Sequence, residues 1–341
     1  MGRSTIYNDN ITKDWDYVLD DNKKLVSDFI KYCKSNDKSS QTIKQYEEWL
    51  KVFFCWNYNE NENKFFIDLK KRDFVHYLGW LRDLGMSDNR IAGLKSVLNS
   101  LSTEIELLYE DEYPTFRNQL RGLEPVHISA VREKTVLSEE QIENILSSLV
   151  QMEKYQEACY LALLCSSGCR KSEALQMKVS FFVPEREEFD GAWKMYRTPI
   201  IRSKGKGKKG KQIEKYILKE SFQPYFDLWI NKRKELGIEI DELFVTKKGG
   251  EYVPANVSTA NTFASNISKW FNIDYYNHSS RHFFCTKLKR LNIPDDIIVQ
   301  IYSWENASMI KVYSDIPKEE ILNNFFKGLL KDEDEDEVEG D

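Results

Sequence analysis

No stretch of this sequence approaches the roughly 18 apolar residues that a membrane-spanning helix needs. The polar first ten residues, MGRSTIYNDN, carry no secretory signal, and Ile6 stands where myristoylation requires Ser or Thr. Histidine is scarce. The four present, His76, His127, His278 and His282, are scattered, and the six cysteines (Cys33, Cys55, Cys159, Cys165, Cys169, Cys285) contain no CxxC pair, which argues against a zinc site. The cysteines read instead as reduced, buried thiols of an intracellular protein. An excess of positive charge is missing too, since the chain nets −6. That figure is distorted by its last ten residues, DEDEDEVEGD, which hold eight acids and no base, so the remainder nets +2. A mildly basic body with an acidic tail is compatible with a nucleic-acid partner.

What is present is an ordinary globular balance, 41% hydrophobic and 30% charged, which excludes a disordered or collagen-like chain. The 341 residues suit about two domains. Residues 1–18 read as a loose end. From 19 to 123 the pattern is that of a small helical bundle. Its segments run from Thr42 to Trp56 behind a Ser39 or Ser40 N-cap, from Arg72 to Leu84 ending at Gly85, and from Asp88 to about Leu108. The last places Ile91, Leu94, Val97, Leu98 and Leu101 at three-to-four spacing. Periodicity lapses over the linker 124–136, which contains Pro125. Ser138-Glu139-Glu140-Gln141 then opens a second unit, 137–331, with a capping-box spacing. That unit reads as helical, with one hairpin inserted between Trp193 and Leu218 and helices resuming from about Pro224 to Leu330. The acidic segment 332–341 reads as a disordered, solvated tail. The fold class is therefore mainly α, with a small antiparallel sheet in the second domain.

Four features could carry chemistry. In Gly168-Cys169-Arg170-Lys171-Ser172-Glu173 an apolar helix ends at a glycine, Arg170 follows at once, and Glu173 lies near enough to orient it. The hairpin Arg202–Lys219 holds eight basic residues against one acid, Glu214. Its Gly205–Lys211 run imitates a P-loop, but Gln212 replaces the magnesium-binding Ser or Thr and a strand follows instead of a helix, so an NTPase is rejected. A DNA backbone suits it better, because lysines act there as point charges. If a helix begins at His278, that residue and Arg281 share a face, and a cation beside an imidazole suits a phosphate oxygen. Trp304 lies 26 residues after His278, and Tyr313 nine after Trp304.

In that order, with those last two spacings, these features resemble the active site of the tyrosine recombinases, the phage integrase family. The resemblance is firm over about 137–330, where it implies the DNA breaking-rejoining enzyme fold. Over the bundle it is weaker and implies a SAM-like core-binding clamp. It implies that Tyr313 is the nucleophile, that Arg170 and Arg281 clamp the scissile phosphate, and that His278 assists in proton transfer. Glu173 falls on the supporting acidic position and Trp304 on one that is histidine in most members. The general acid is a hairpin lysine, Lys204 favoured over Lys206. Arg202, Lys206, Lys208, Lys209 and Lys211 are expected to bind DNA.

The resemblance further implies a site-specific recombinase or integrase of a mobile element. It would act on double-stranded DNA through a 3′-phosphotyrosine and use no metal or other cofactor. The amphipathic segment 317–330 would dock on a neighbouring protomer of a homo-tetramer. Its place would be the cytoplasm, on the nucleoid or in the host cell of a virus. A type IB topoisomerase, or a silent DNA-binding regulator on the same fold, is the alternative. Two departures stand out: Ser303-Trp304 replaces the Gly-His of many members, and Glu305 replaces the small residue that follows. A tryptophan donates one N–H and shuttles no proton.

Overall fold

The computed structural model describes residues 11–126, 137–189, 193–205, 207 and 209–316. The chain packs as two compact units, residues 1–133 and residues 134–341 without the hairpin tip 205–210.

In the first unit, α1 (Asp20–Ser35), α2 (Ser40–Glu60), α3 (Lys71–Asp83) and α4 (Asp88–Leu108) enclose an aromatic core in which Phe53 touches Phe54, Trp56, Phe66, Phe74 and Tyr77. Ser39 is the N-cap of α2, its hydroxyl accepting from Thr42 N–H at 3.2 Å. The five apolar positions expected along α4 are all buried. Sequence periodicity stops α2 a turn early, because Asn57–Glu60 is polar; the helix continues since Asn57 is buried with its carboxamide donating to Lys64 O at 2.7 Å. Beyond Leu108 the chain leaves the helix and packs Phe116, Leu120 and Val126 into the core from turns.

In the second unit, α5 (Glu139–Gln151) starts with the expected capping box, Gln141 N–H to Ser138 Oγ at 3.1 Å and Ser138 N–H to Gln141 Oε1 at 2.8 Å. The central helix α6 (Tyr155–Ser167) is buried on every side from Ala158 to its end. After the single turn α7 (Lys171–Ala174), strands β1 (Glu187–Glu188), β2 (Met195–Arg197), β3 (Ile201–Ser203), β4 (Lys211–Ile213) and β5 (Tyr216–Leu218) follow. The expected single hairpin is in fact two pairings in series: β2 with β5, on a sheet edged by β1, and β3 with β4. Three residues, Thr198–Ile200, face two, Glu214 and Lys215, at the break. Pro199 lacks the donor a continuous ladder would need there.

Helix α8 (Lys219–Glu235) begins five residues before Pro224, which sits inside it, because Phe222, Phe226 and Trp229 must share one buried face. The hairpin of β6 (Val245–Lys248) and β7 (Glu251–Pro254) breaks what the sequence suggests is a purely helical stretch. Its turn residues Gly249 and Gly250 take φ of +60° and +92°, a conformation suited to tight hairpins. Helices α9 (Val257–Phe271), α10 (Ser279–Arg290), α11 (Asp295–Tyr302) and α12 (Ser308–Tyr313) complete the unit. A second small core of Phe284, Leu288, Ile298, Ile301 and Ile310 joins the last three of these helices. The segment 317–330, the tail 332–341 and most of the 124–136 linker lie outside the described residues.

Candidate active site

Gly168 ends α6 with φ +58°, and its carbonyl accepts from Arg281 Nη1. A Cβ there would stand 2.5 Å from the Tyr302 hydroxyl, so the close approach of α6 to α11 requires glycine. Two residues on, Arg170 is fixed at three points. Its N–H donates to Glu173 Oε2 at 2.9 Å, while its Nη1 reaches Glu173 Oε1 at 2.8 Å and Ser203 Oγ at 3.1 Å. Ser203 in turn donates to Glu173 Oε1 at 2.5 Å. Burial alone would push the Glu173 carboxyl up, but the Lys215 charge, the Ser203 hydrogen bond and Arg170 hold it down at about 2. The carboxylate is thus a permanent anchor for the arginine.

Arg281 is completely buried. Its guanidinium carbon lies 4.4 Å from the ring centre of Tyr302 and 5.3 Å from those of Trp304 and Tyr313. Its Nε and Nη2, together with Trp304 Nε1, are buried donors that meet no acceptor among the described residues. Ser303 takes a left-handed conformation, φ +52°, that folds Trp304 back beside Tyr302 and Tyr313, its ring stacked on theirs at 4.2 and 5.2 Å.

His278, at the start of α10, places Nε2 2.7 Å from the Tyr313 hydroxyl. Burial, followed by the charges of Arg281, His282, Arg170 and Lys204, lowers its pKa to about 4, so the imidazole is neutral near pH 7 and can accept the phenol proton. His282, one turn along α10, packs on the Tyr313 ring at 4.8 Å, and its Nδ1 lies 2.8 Å from Asp315 Oδ2. Asp315 N–H donates to Thr286 Oγ1 at 3.0 Å, which ties the chain just past Tyr313 to α10.

Arg170, Glu173, His278, Arg281, Trp304 and Tyr313 therefore converge. Lys204 is exposed at the end of β3, directly after Ser203, and is near enough for its charge to act on His278. Arg202 and Lys209 are exposed, whereas Lys206 and Lys208 lie outside the described residues. Lys211 turns inward and donates to Ser303 O at 2.7 Å. Sequence reasoning passed over Ser203, Lys215, Tyr302, His282 and Asp315. Only His282 carried a local signal, standing one helical turn after His278.

Comparison with known proteins bears on this arrangement. Residues 135–320 match the phage integrase family. The SPbeta prophage-derived recombinase-like protein YomM of Bacillus subtilis is 32% identical over 259 residues, 74% of either chain. The tyrosine recombinase XerA of Pyrococcus horikoshii is 22% identical over 311 residues, 91% of this chain and 95% of that one. In fold, the chain is similar to the Tn1549 transposon integrase in complex with circular intermediate DNA, with TM-score 0.62 and 17% identity over 88% of this chain and 98% of that one. The meeting of Arg281 and His278 on Tyr313, with Arg170 near enough for its charge to act on His278, lies within the matched span, and the chain belongs to the phage integrase family, the tyrosine recombinases.

Proposed function

We propose that this protein is a site-specific recombinase, an integrase-type strand transferase that cuts and rejoins duplex DNA through a 3′-phosphotyrosine at Tyr313. One observation carries the reading: three buried donors that meet no acceptor among the described residues, Arg281 Nε and Nη2 and Trp304 Nε1, belong to side chains packed on the ring of a tyrosine whose hydroxyl is paired with a neutral imidazole. Donors left unpaired in a low-dielectric site are costly unless a ligand satisfies them, and a phosphodiester supplies the oxygens. The Tyr313 ring covers Arg281 in the free protein. A phosphate would exchange that cation–π contact for a charge-assisted pair.

Tyr313 Oη then attacks phosphorus while its proton passes to His278 Nε2. Charge gathering on the nonbridging oxygens is met by Arg170 and Arg281. The P–O5′ bond breaks, and Lys204 gives a proton to the departing oxygen. The tyrosyl ester keeps the bond energy, so a free 5′-hydroxyl can reverse the step without an external energy source. The helical bundle clamps the duplex, and the basic hairpin follows its backbone through Arg202, Lys206, Lys208 and Lys209.

The test is a nicked duplex bearing the protein's own site, from which the cleaved fragment escapes. An SDS-stable, protease-sensitive adduct is expected, and its absence would overturn the reading. The general acid has its own test. Lys204→Ala should slow cleavage of ordinary DNA, and a bridging 5′-thiolate leaving group, which needs no proton, should restore the rate. Rescue confined to Lys206→Ala would move the role to that lysine.

Assembly as a tetramer on DNA, through segment 317–330 of a neighbouring copy, belongs to the same proposal. An apolar cleft of about 280 Å³ lined by Phe189, Trp193, Met195, Leu288, Ile293 and Ile297 offers a seat for its Phe325, Phe326 and Leu329 face. Deleting residues 317–341 should reduce pairing of two DNA sites in a gel-shift assay far more than binding of one. Unchanged pairing would count against the docking.

A further inference from the structure

Lys215 is as buried as any residue in the protein, with no exposed surface. Its backbone is pinned at the break in the hairpin, its N–H donating to Thr198 Oγ1 and its carbonyl accepting from Thr198 N–H, both at 3.0 Å. The side chain runs inward beneath the active site. Nζ donates to Ile301 O at 3.4 Å and lies 5.4 Å from the centre of the Tyr302 ring. That ring is the one stacked under Arg281, and its hydroxyl donates to Arg281 O at 2.9 Å.

A buried ammonium without an opposing charge costs several kcal/mol or gives up its proton. Burial does push Lys215 down, and Cys169 and Glu173 are the groups that pull it back up. The Cys169 thiol is itself pushed up by burial, so it stays neutral and Glu173 supplies the anion. In the other direction, Lys215 makes the largest single contribution to keeping Glu173 ionised. The two charges stand behind opposite partners, since Glu173 grips Arg170 while Lys215 supports the ring under Arg281.

We infer that Lys215 is a positioning residue for strand cleavage: anchored on Ile301 O beneath the Tyr302 ring it holds the seat of Arg281, and it stands as a buried counter-charge behind Glu173, the carboxylate that grips Arg170. Its effect on cleavage rests on the function proposed above. Its pairing with Glu173 does not.

The experiment compares Lys215→Met, Lys215→Arg, Glu173→Gln and the Lys215→Met/Glu173→Gln double variant. Thermal unfolding reads the pair directly. Glu173→Gln leaves the Lys215 ammonium buried without its counter-charge, and Lys215→Met leaves Glu173 with Arg170 as its one cationic partner among the described residues; each should lower the melting temperature, and the double variant should melt above the lower of the two. Additive losses would overturn the pairing, and if a single variant fails to fold, folding of the double variant supports it. Adduct formation on nicked DNA across pH 5–9 reads the positioning. Wild type keeps Glu173 ionised throughout this range. Without Lys215 the carboxyl titrates higher and Arg170 is less well held, so Lys215→Met should be slowed about tenfold or more, increasingly as pH falls, whereas Lys215→Arg should keep the wild-type profile. A Lys215→Met enzyme slowed equally at every pH would reduce the residue to packing. If wild type itself forms no adduct, the proposed function fails while the unfolding cycle still decides the pair.

Discussion

Tyr313→Phe is expected to abolish the covalent DNA adduct altogether while leaving folding and DNA binding in place. The substitution removes one oxygen and keeps the ring, so the stack on Trp304, the contact with His282 and the face presented to Arg281 all survive. Only the hydrogen bond to His278 is lost. No neighbouring tyrosine can stand in. Tyr302 is the nearest in sequence, but its hydroxyl is buried and committed to Arg281 O. With His278 held near 4, the imidazole loses its proton as pH rises past that value and is a competent base throughout the neutral range. Protonation of this histidine therefore should not limit wild-type cleavage above about pH 5. The assay is the nicked-duplex trap, read on an SDS gel. Residual adduct in the phenylalanine variant would mean that another side chain attacks.

The outline of this site is legible in the sequence, for reasons that differ from residue to residue. Arg170 follows a helix-ending glycine, and His278 and Arg281 share one helical face. Local rules of chain geometry expose both features in a sequence. Tyr313 and Trp304 emerged only from their spacing to the others, because a single aromatic among 18 tyrosines and 8 tryptophans reads as core. Lys215 was hidden for a physical reason: inside a run of eight basic residues it looks like another solvated charge, and only the strand break at Pro199 turns it inward. Lys211 was misleading in the same way, since its partner, the Ser303 carbonyl, lies 92 residues along the chain. The Gly249-Gly250 turn did carry a local hairpin signal, but a helix-rich context on both sides masked it.

Arg281→Lys is expected to lower the cleavage rate by about 10²–10³-fold, the usual effect of losing one donor aimed at developing charge. A lysine keeps the positive charge, so the size of the loss tests geometry and not charge alone. The planar guanidinium spends Nη1 on the Gly168 carbonyl and still presents Nε and Nη2 from the same rigid fork. An ammonium is a point donor on a flexible stem. If it satisfies Gly168 O, which would otherwise be left buried and unpaired, it has no second edge for a phosphate oxygen; if it reaches the phosphate, the end of α6 loses its partner. The two outcomes separate in measurement. A variant that melts like wild type yet cleaves slowly has kept the helix end and lost the phosphate contact, whereas a lowered melting temperature with partial activity indicates the reverse choice. A lysine variant within tenfold of wild type on both counts would show that the fork geometry of Arg281 is not what the reaction uses, and with it the three unpaired donors would lose their claim to mark the phosphate.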